Sequence, residues 1–462
     1  MDGFCDNAYS TPCFPYSYVV NSPNTTDVAP YFSIASHYGF ANYMFQTNEG
    51  PSYAAHQFLF TGTSAPVAVN TSNDYYKYFV VNNPSNTNGT GGLSGCPQLV
   101  DLSWIDPTRG VAAGLGGNYE CYPHDCLVTS ATCQNNTNLC DKSTTLFSTW
   151  RYYAPEPGSI WDAPEAIPEV CYGVNDLTNA GRSCGAGSNT YNNGNWLRHM
   201  SFYSTMNNAP IFSDIQNCNL ANISWVIPDS AWSDHPNSGT GTAFGPYWVA
   251  NIVNAIGNSY VNTHVNGNTG CDYWGNVAPS GSSARKPTAI FIVWDDWGGF
   301  YDHVAPKNAY LGAGTEGGGF TCNNAPNGWG CGYIYGFRVP FLVVSEYTGS
   351  TSGGGYISGP CTPPSCPNTT QKYQHDFGSI LAFTEFNFGL GPIDQSGNHG
   401  YADANALDAV NLNIPLSDFF PLCTTTCTGR SFFPIPVSPY PASFFENYYT
   451  THSATPAGPD PD

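Results

Sequence analysis

The stretch IFIVWDDWGGFYDHVAP, Ile290 to Pro306, constrains this chain more than any other. Following Thr288, its apolar and β-branched run reads as a buried strand that stops at a glycine pair. Asp295 and Asp296 stand side by side at that end. Successive strand side chains point to opposite faces, so both carboxylates reach one ligand only where the strand ends and the chain turns. Gly298 and Gly299 supply the turn. Two carboxylates brought together repel each other and raise each other's pKa unless a counter-charge intervenes. Lys and Arg total only 12 in the chain, which argues against an arginine clamp. A divalent cation held by carboxylate oxygens, or by mixed Asp and His ligands, resolves the conflict. The alternative is a turn whose aspartates cap backbone N–H groups. Location at a strand's C-terminal end, where sites of open α/β sheets lie, favours the cation.

Composition narrows the partners. Charged residues are 10% of 462, well below the usual quarter, and 33 acids give a formal charge of -21. Nucleic acid and anionic membrane surfaces both demand clustered Lys and Arg, so neither is expected. A surface of Gly, Ser, Thr, Asn and Tyr loses little charge balance when carboxylates protonate, which points to an acidic extracellular habitat. The 17 cysteines point to an oxidising compartment, with disulfide-stapled loops around Cys121, Cys126, Cys133 and Cys140, Cys322 and Cys331, Cys361 and Cys366, and Cys423 and Cys427. No CxxC pair occurs and histidine is not interleaved at ligand spacing, so stapling is favoured over a zinc site. Sequons at Asn24, Asn70, Asn88, Asn135, Asn222 and Asn368 offer glycan positions. The opening MDGFCDNAYSTPCF carries neither a basic nor an apolar leader region. No apolar run approaches the roughly 18 residues of a transmembrane helix. Secretion, extracellular or periplasmic, is the expected location.

Four regions follow from patterning: 1–81, an N-terminal part of the core; 82–200, a Cys/Asn/Gly-rich insertion or cap; 201–429, the remainder of the core with the Asp-Asp strand; and 430–462, a Pro-rich tail. Helices are expected over Pro30 to Phe45, after Gly50-Pro51-Ser52, over Pro246 to Gly257, and after an Asp376 N-cap. Strands are expected at ISWVIPD, Ile223 to Asp229, and within GFRVPFLVVSEY. Buried strands alternating with helices indicate an α/β fold.

Further candidates are weaker singly. Asp234 and His235, in SDHP after the 223–229 strand, suit ligands, an oriented imidazole, or an ordinary turn. Asp302 and His303 lie just past the glycine turn and suit support of the ligands from behind. Ser52 enters a helix N-terminus, where the dipole lowers the cost of an alkoxide; on the residues alone a helix cap is favoured over a nucleophile. His375 and the remaining scattered histidines default to structural or surface roles.

Taken together, the segments YFSIASHYGFANYMFQTNEGPSYAAHQFLFTGTS, SWVIPDSAWSDHP, PYWVANIVNAIG, IFIVWDDWGGFYDHVAP, GFRVPFLVVSEY and HDFGSILAFTEFNFGL resemble the phosphoesterase family of bacterial secreted phospholipases C and acid phosphatases. That family lies within the alkaline-phosphatase-like superfamily. WDDWGGFYDHV is the most specific segment, and the 82–200 insertion has no counterpart. The resemblance implies a mostly parallel central sheet flanked by helices. It implies Ser52 as the phosphoryl-accepting nucleophile, Asp295 and Asp296 as metal ligands, and Asp234 and His235 lining the site, His235 as acid to the leaving oxygen. The substrate is then a phosphate ester, either a phospholipid or a soluble phosphomonoester. The cofactor is a divalent metal ion: carboxylate-rich ligation suits calcium or magnesium, histidine suits zinc or iron. The family's Glu-Asn segment, resembling ENRSFD, does not occur in this sequence, and its MDGF is internal, whereas here MDGF stands first. A native segment ahead of Met1 carrying those ligands is therefore expected. The competing expectation is a secreted binding protein on the same scaffold, without catalysis. A third, a disulfide-rich carbohydrate binder, draws on the many Tyr and Trp but leaves Asp295-Asp296 unexplained.

Overall fold

The computed structural model describes residues 27–47, 51–64, 79–80, 104–106, 110–112, 150–156, 159–166, 200–235, 244–260, 271–275, 287–298, 302, 304, 335–350, 353–360, 371–388, 402–423 and 427–455. Mixed α/β architecture is evident throughout them. Helix α1 (Ala29–His37) starts at a first-turn proline and ends before Gly39. The helix expected to run from Pro30 to Phe45 thus stops early, and β1 (Gly39–Ala41) and β2 (Met44–Phe45) follow. Sheet pairing prevails over helical periodicity here. A Cβ at Gly39 would lie 2.9 Å from both Phe419 and Thr348, so only glycine lets the strand pack this closely.

Helix α2 (Ser52–Thr61) comes next. Between it and residue 200 the described strands are β3 (Phe79–Val80), β4 (Trp104–Asp106), β5 (Gly110–Ala112) and β6 (Trp150–Ala154). The cysteine cluster at Cys121 to Cys140 falls outside the described residues, as do Cys322, Cys331, Cys361 and Cys366. β6 lies within the 82–200 stretch and is nonetheless the middle strand of a core sheet. Then follow β7 (Met200–Phe202), α3 (Tyr203–Met206), α4 (Pro210–Gln216), β8 (Ile223–Val226) and α5 (Phe244–Gly257). The second half contributes β9 (Ile290–Val293), β10 (Phe341–Val344), β11 (Tyr356–Ser358), β12 (His375–Asp376), α6 (Phe377–Phe388) and α7 (Ala442–Thr451).

Two sheets carry the core. One has the order β11-β1-β10-β9, the other β7-β6-β8. The second is parallel throughout. In the first, β1 and β11 are parallel, but β10 runs antiparallel to both its neighbours, a departure from the mostly parallel expectation. Along β9 the side chains alternate as a two-sided strand requires. Ile290 and Ile292 join Ala250 and Val253 of α5 with Leu342 and Val344. Phe291 and Val293 face Ala55 and Phe58 of α2, together with Phe341 and Val343.

Both helix layers reach both sheets. On one face, α5 brings Trp248 and Ile252 against Tyr153 of β6 and Val226 of β8, while Ala250 and Val253 meet the first sheet. On the other face, Phe60 of α2 packs edge-on to Tyr152 and Trp225, with centroids 5.7 and 4.7 Å away. Disulfides close Cys218 to Cys271 and Cys423 to Cys427, the latter a spacing singled out in the sequence.

Under the first sheet lies a buried polar cluster. Asp376 caps α6 as expected, accepting the Ser379 N–H at 2.9 Å. His375 is held between Asp408, 2.9 Å from Nδ1, and the Ser358 hydroxyl, 2.8 Å from Nε2. Serine, imidazole and carboxylate in a row is the order of an acyl-transfer triad. Here all three are fully buried, and the Ser358 hydroxyl donates to Asp418 instead. With its hydroxyl proton directed to Asp418 rather than to the imidazole, Ser358 is not activated as a triad serine, and the cluster is read as structural.

Candidate active site

The end of β9 and the start of α2 meet, and four side chains interlock there. Ser52 is the first residue of α2, after the extended Pro51. Its hydroxyl donates to Asp296 Oδ2 at 2.8 Å. The other Asp296 oxygen, Oδ1, accepts the Gly298 N–H at 2.7 Å. Gly298 has φ of 61°, a left-handed conformation that favours glycine and closes the turn. Asp296 thus also fills the turn-capping role foreseen as the alternative to metal binding.

Asp295 also bonds Ser52 and engages a second residue of the same helix. His56, one helical turn after Ser52, places Nε2 3.2 Å from Asp295 Oδ2. The imidazole is 7% exposed, stacks on Trp161, and sets Nδ1 3.3 Å from the Tyr152 hydroxyl. That hydroxyl in turn donates to the Trp161 carbonyl at 2.6 Å. Burial disfavours the charged Asp295 carboxylate, but bonding and attraction to His56, with help from Ser52, outweigh it and hold its pKa below the ordinary value. Residues four apart on α2 therefore engage residues one apart at the strand end. His56 escaped the reading of the sequence, although its spacing of four from Ser52 places the two on one helix face.

Asp234 and His235 line the same cavity as Asp295, Asp296 and His56, a space of about 1710 Å³. Asp234 accepts the Tyr31 hydroxyl of α1 at 2.7 Å. Burial pushes its carboxyl up to about 6, against the opposing effect of that hydrogen bond. Tyr31 also packs edge-on to Trp294, which ties Asp234 to the strand end. The His235 N–H donates to the Ser233 hydroxyl at 3.3 Å. Asp302 does not join the pair; it takes a two-pronged bond from Arg338, one prong of 2.9 Å from Nη2. His303 lies outside the described residues.

The donors test poorly as a complete cation site. Among the described residues no three His, Cys, Asp or Glu side chains converge as a metal-binding group. Asp295 turns to His56 and Asp296 to Ser52 and a backbone N–H, so the pair would provide part of a ligand set at most. No described helix is long and apolar enough to cross a membrane.

Comparison with known proteins places this geometry in context. The sequence profile described as the phosphoesterase family matches residues 1–265 and 278–391. The chain is 28% identical over 225 residues to the non-hemolytic phospholipase C of Burkholderia pseudomallei (strain K96243), covering 47% of this chain and 26% of that protein. Phospholipase C B and phospholipase C A of Mycobacterium tuberculosis (strain ATCC 25618 / H37Rv) are each 28% identical over 141 residues, 29% of this chain and 22% of theirs. The chain thus matches about a quarter of the length of these curated relatives.

Proposed function

Because the chain belongs to the phosphoesterase family, we propose that it hydrolyses phosphate esters through a phosphoseryl intermediate on Ser52. The observation that carries this reading is the Ser52 hydroxyl donating to Asp296 at the head of α2. Asp296 accepts the serine proton as Ser52 Oγ bonds to phosphorus and the ester oxygen departs. His235, in its charged form, protonates that leaving oxygen. Water then attacks the phosphoserine and gives up a proton to the now neutral His235, Asp296 returns its proton to Ser52 as the Ser52 oxygen leaves phosphorus, and the phosphate or its remaining ester is released. The positive end of the α2 dipole supports the negative phosphate. Ser52 is 1% exposed, so attack requires its surroundings to open as substrate enters while Asp296 keeps the hydrogen bond.

A divalent cation belongs to the same proposal, with Asp295 and Asp296 as two of its ligands and the remaining donors from beyond the described residues. It would supply positive charge beside the phosphate; no step above runs through it. An alkaline-phosphatase-like arrangement of the core and secretion into an oxidising space complete the reading, the latter supported by the two disulfides. The phospholipases C among its relatives favour a phospholipid over a soluble monoester as substrate.

Phosphate or phosphocholine release from p-nitrophenyl phosphate and phosphatidylcholine tests this. Ser52→Ala is expected to abolish turnover and the phosphoserine peptide seen by mass spectrometry after an acid quench. Full activity in Ser52→Ala overturns the nucleophile. A folded wild-type protein inactive on both substrates, with divalent cations added, favours the non-catalytic binding scaffold.

A further inference from the structure

Residues 430–455, Pro-rich by composition, lie beyond the stretch that the family profile matches. They run along α5 in the opposite direction. Phe432 lies against Gly257, where a Cβ would approach its ring to 2.2 Å. Ile435 makes two 2.8 Å hydrogen bonds with the Asn254 side chain, donating through its N–H and accepting through its carbonyl. Asn251 donates to the Tyr440 carbonyl at 2.8 Å. Phe444 packs on Phe244 at the start of α5, with centroids 4.9 Å apart. Asn251 and Asn254, three apart on one helix face, thus satisfy backbone groups that an irregular segment would otherwise leave unpaired.

The segment then forms α7, which closes on the turn between β8 and Asp234-His235. Trp232, fully buried in that turn, is boxed by Phe445, Tyr448 and Tyr449 of α7 at 4.7 to 5.3 Å, with Trp248 of α5 at 5.4 Å. Asp229, also fully buried, joins the two stretches of chain. Its Oδ2 accepts the Tyr449 hydroxyl at 3.1 Å and the Thr455 N–H at 2.7 Å, while Oδ1 accepts the Ala231 N–H of its own turn at 2.9 Å. The Asp229 carbonyl accepts the Trp232 and Ser233 N–H groups, both at 2.9 Å. The bonds that shape the turn and the bonds that hold the C-terminal segment therefore meet on one residue. Asp234 follows directly and is hemmed from the other side, since a Cβ on Gly245 would lie 2.2 Å from its Oδ1.

We propose that residues 430–455 are a strap that sets the position of Asp234 and His235, with Asp229 and Trp232 as the positioning residues through which it acts. The catalytic consequence rests on the reading of His235 as acid to the leaving oxygen. Proton transfer demands hydrogen-bond reach, so a small displacement of the imidazole weakens acid catalysis. The Ser52–Asp296 bond is made between α2 and the end of β9, so loosening the strap is expected to spare it.

Two full-length variants test the strap, and either suffices should the other fail to fold. Tyr449→Phe keeps the ring and deletes one hydrogen bond to Asp229. Thr455→Pro deletes the N–H donor from an exposed position. By hydrogen–deuterium exchange, the amides of Ala231, Trp232 and Ser233 are expected to exchange about 10-fold faster in each variant. The kcat/KM for phenyl phosphate, whose leaving oxygen needs a proton, is expected to fall about 10-fold. For p-nitrophenyl phosphate, whose leaving group departs as the anion, the fall is expected to be under about 2-fold. A purely structural loss lowers both esters alike. Unchanged exchange at 231–233 overturns the proposal, and so does faster exchange with both esters falling equally or neither falling. A wild-type protein inactive on both esters marks failure of the phosphoester reading instead, and exchange then still decides whether the segment holds the turn.

Discussion

His56 and Ser52, one helical turn apart, hold the aspartate pair: Ser52 bonds both carboxylates and His56 adds a partner for Asp295. Replacing His56 by alanine removes the partner of Asp295 and leaves Ser52 in place. We expect kcat to fall about 100-fold with the fold intact, as for loss of a positioned acid–base partner. Unchanged kcat for His56→Ala on p-nitrophenyl phosphate would remove His56 from the site. Tyr31 offers a subtler handle. Its hydroxyl bonds the ionised Asp234 and so opposes the rise that burial causes. Tyr31→Phe deletes that opposition, so the Asp234 pKa climbs above about 6 and the acid limb of the pH–rate profile moves to higher pH. An unmoved or downward-shifted limb would remove Asp234 from the groups that set the profile. At this scale the aspartate pair and the serine were legible, because a strand end and a helix start carry local signals. His56 and Tyr31 were not, since their meaning comes from partners 239 and 203 positions away.

Strands β8, β9 and β10 and helices α2, α5 and α6 were all legible from apolar runs and their punctuation. The early end of α1 was not, because β1 is stabilised by pairing with Val343 and Tyr356, far along the chain. Nor could local pattern reveal the division into two sheets or the antiparallel β10, both of which are long-range pairings. Helix α6 makes a sharp prediction at its first turn. A Cβ on Gly378 would lie 2.0 Å from the Ala402 carbonyl oxygen, which is backbone and cannot rotate away. Gly378→Ala is expected to cost about 1–3 kcal/mol by overpacking. Chemical denaturation measures it; a variant as stable as wild type would show that the 402–410 segment yields freely.

For the whole molecule, the buried acids give stability a definite pH dependence. Burial drives Asp376 up to about 7, opposed by Tyr335 and aided by Asp408, and holds Asp234 near 6. Both lie above the unfolded value of about 3.9. A raised carboxyl pKa means that folding takes up a proton, so the contribution is full below about pH 4 and declines as pH rises toward 7. His375 acts in the same sense: burial disfavours its charged form, but Asp418, Asp408 and Asp376 outweigh that and hold its pKa above the usual value. Asp295, held low, loses its contribution only below about pH 4. Self-repulsion among charges summing to -21 also grows with pH. Tm is therefore expected to be highest near pH 4–5 and several degrees lower at pH 8, at constant ionic strength. Calorimetry across that range checks it, and a Tm that rises toward pH 8 rejects it. Asp376→Asn should flatten the slope.

Helix α2 leans on one sheet through Phe58 and on the other through Phe60, with Ser52 and His56 gripping the strand end between. Such a helix works as a yoke across two beams. If the sheets spread or close by even a fraction of an ångström, the yoke turns, and both grips change at once. On the proposed mechanism Ser52 is thereby geared to the spacing of the sheets, and whatever sets that spacing also sets whether the serine is in position to react.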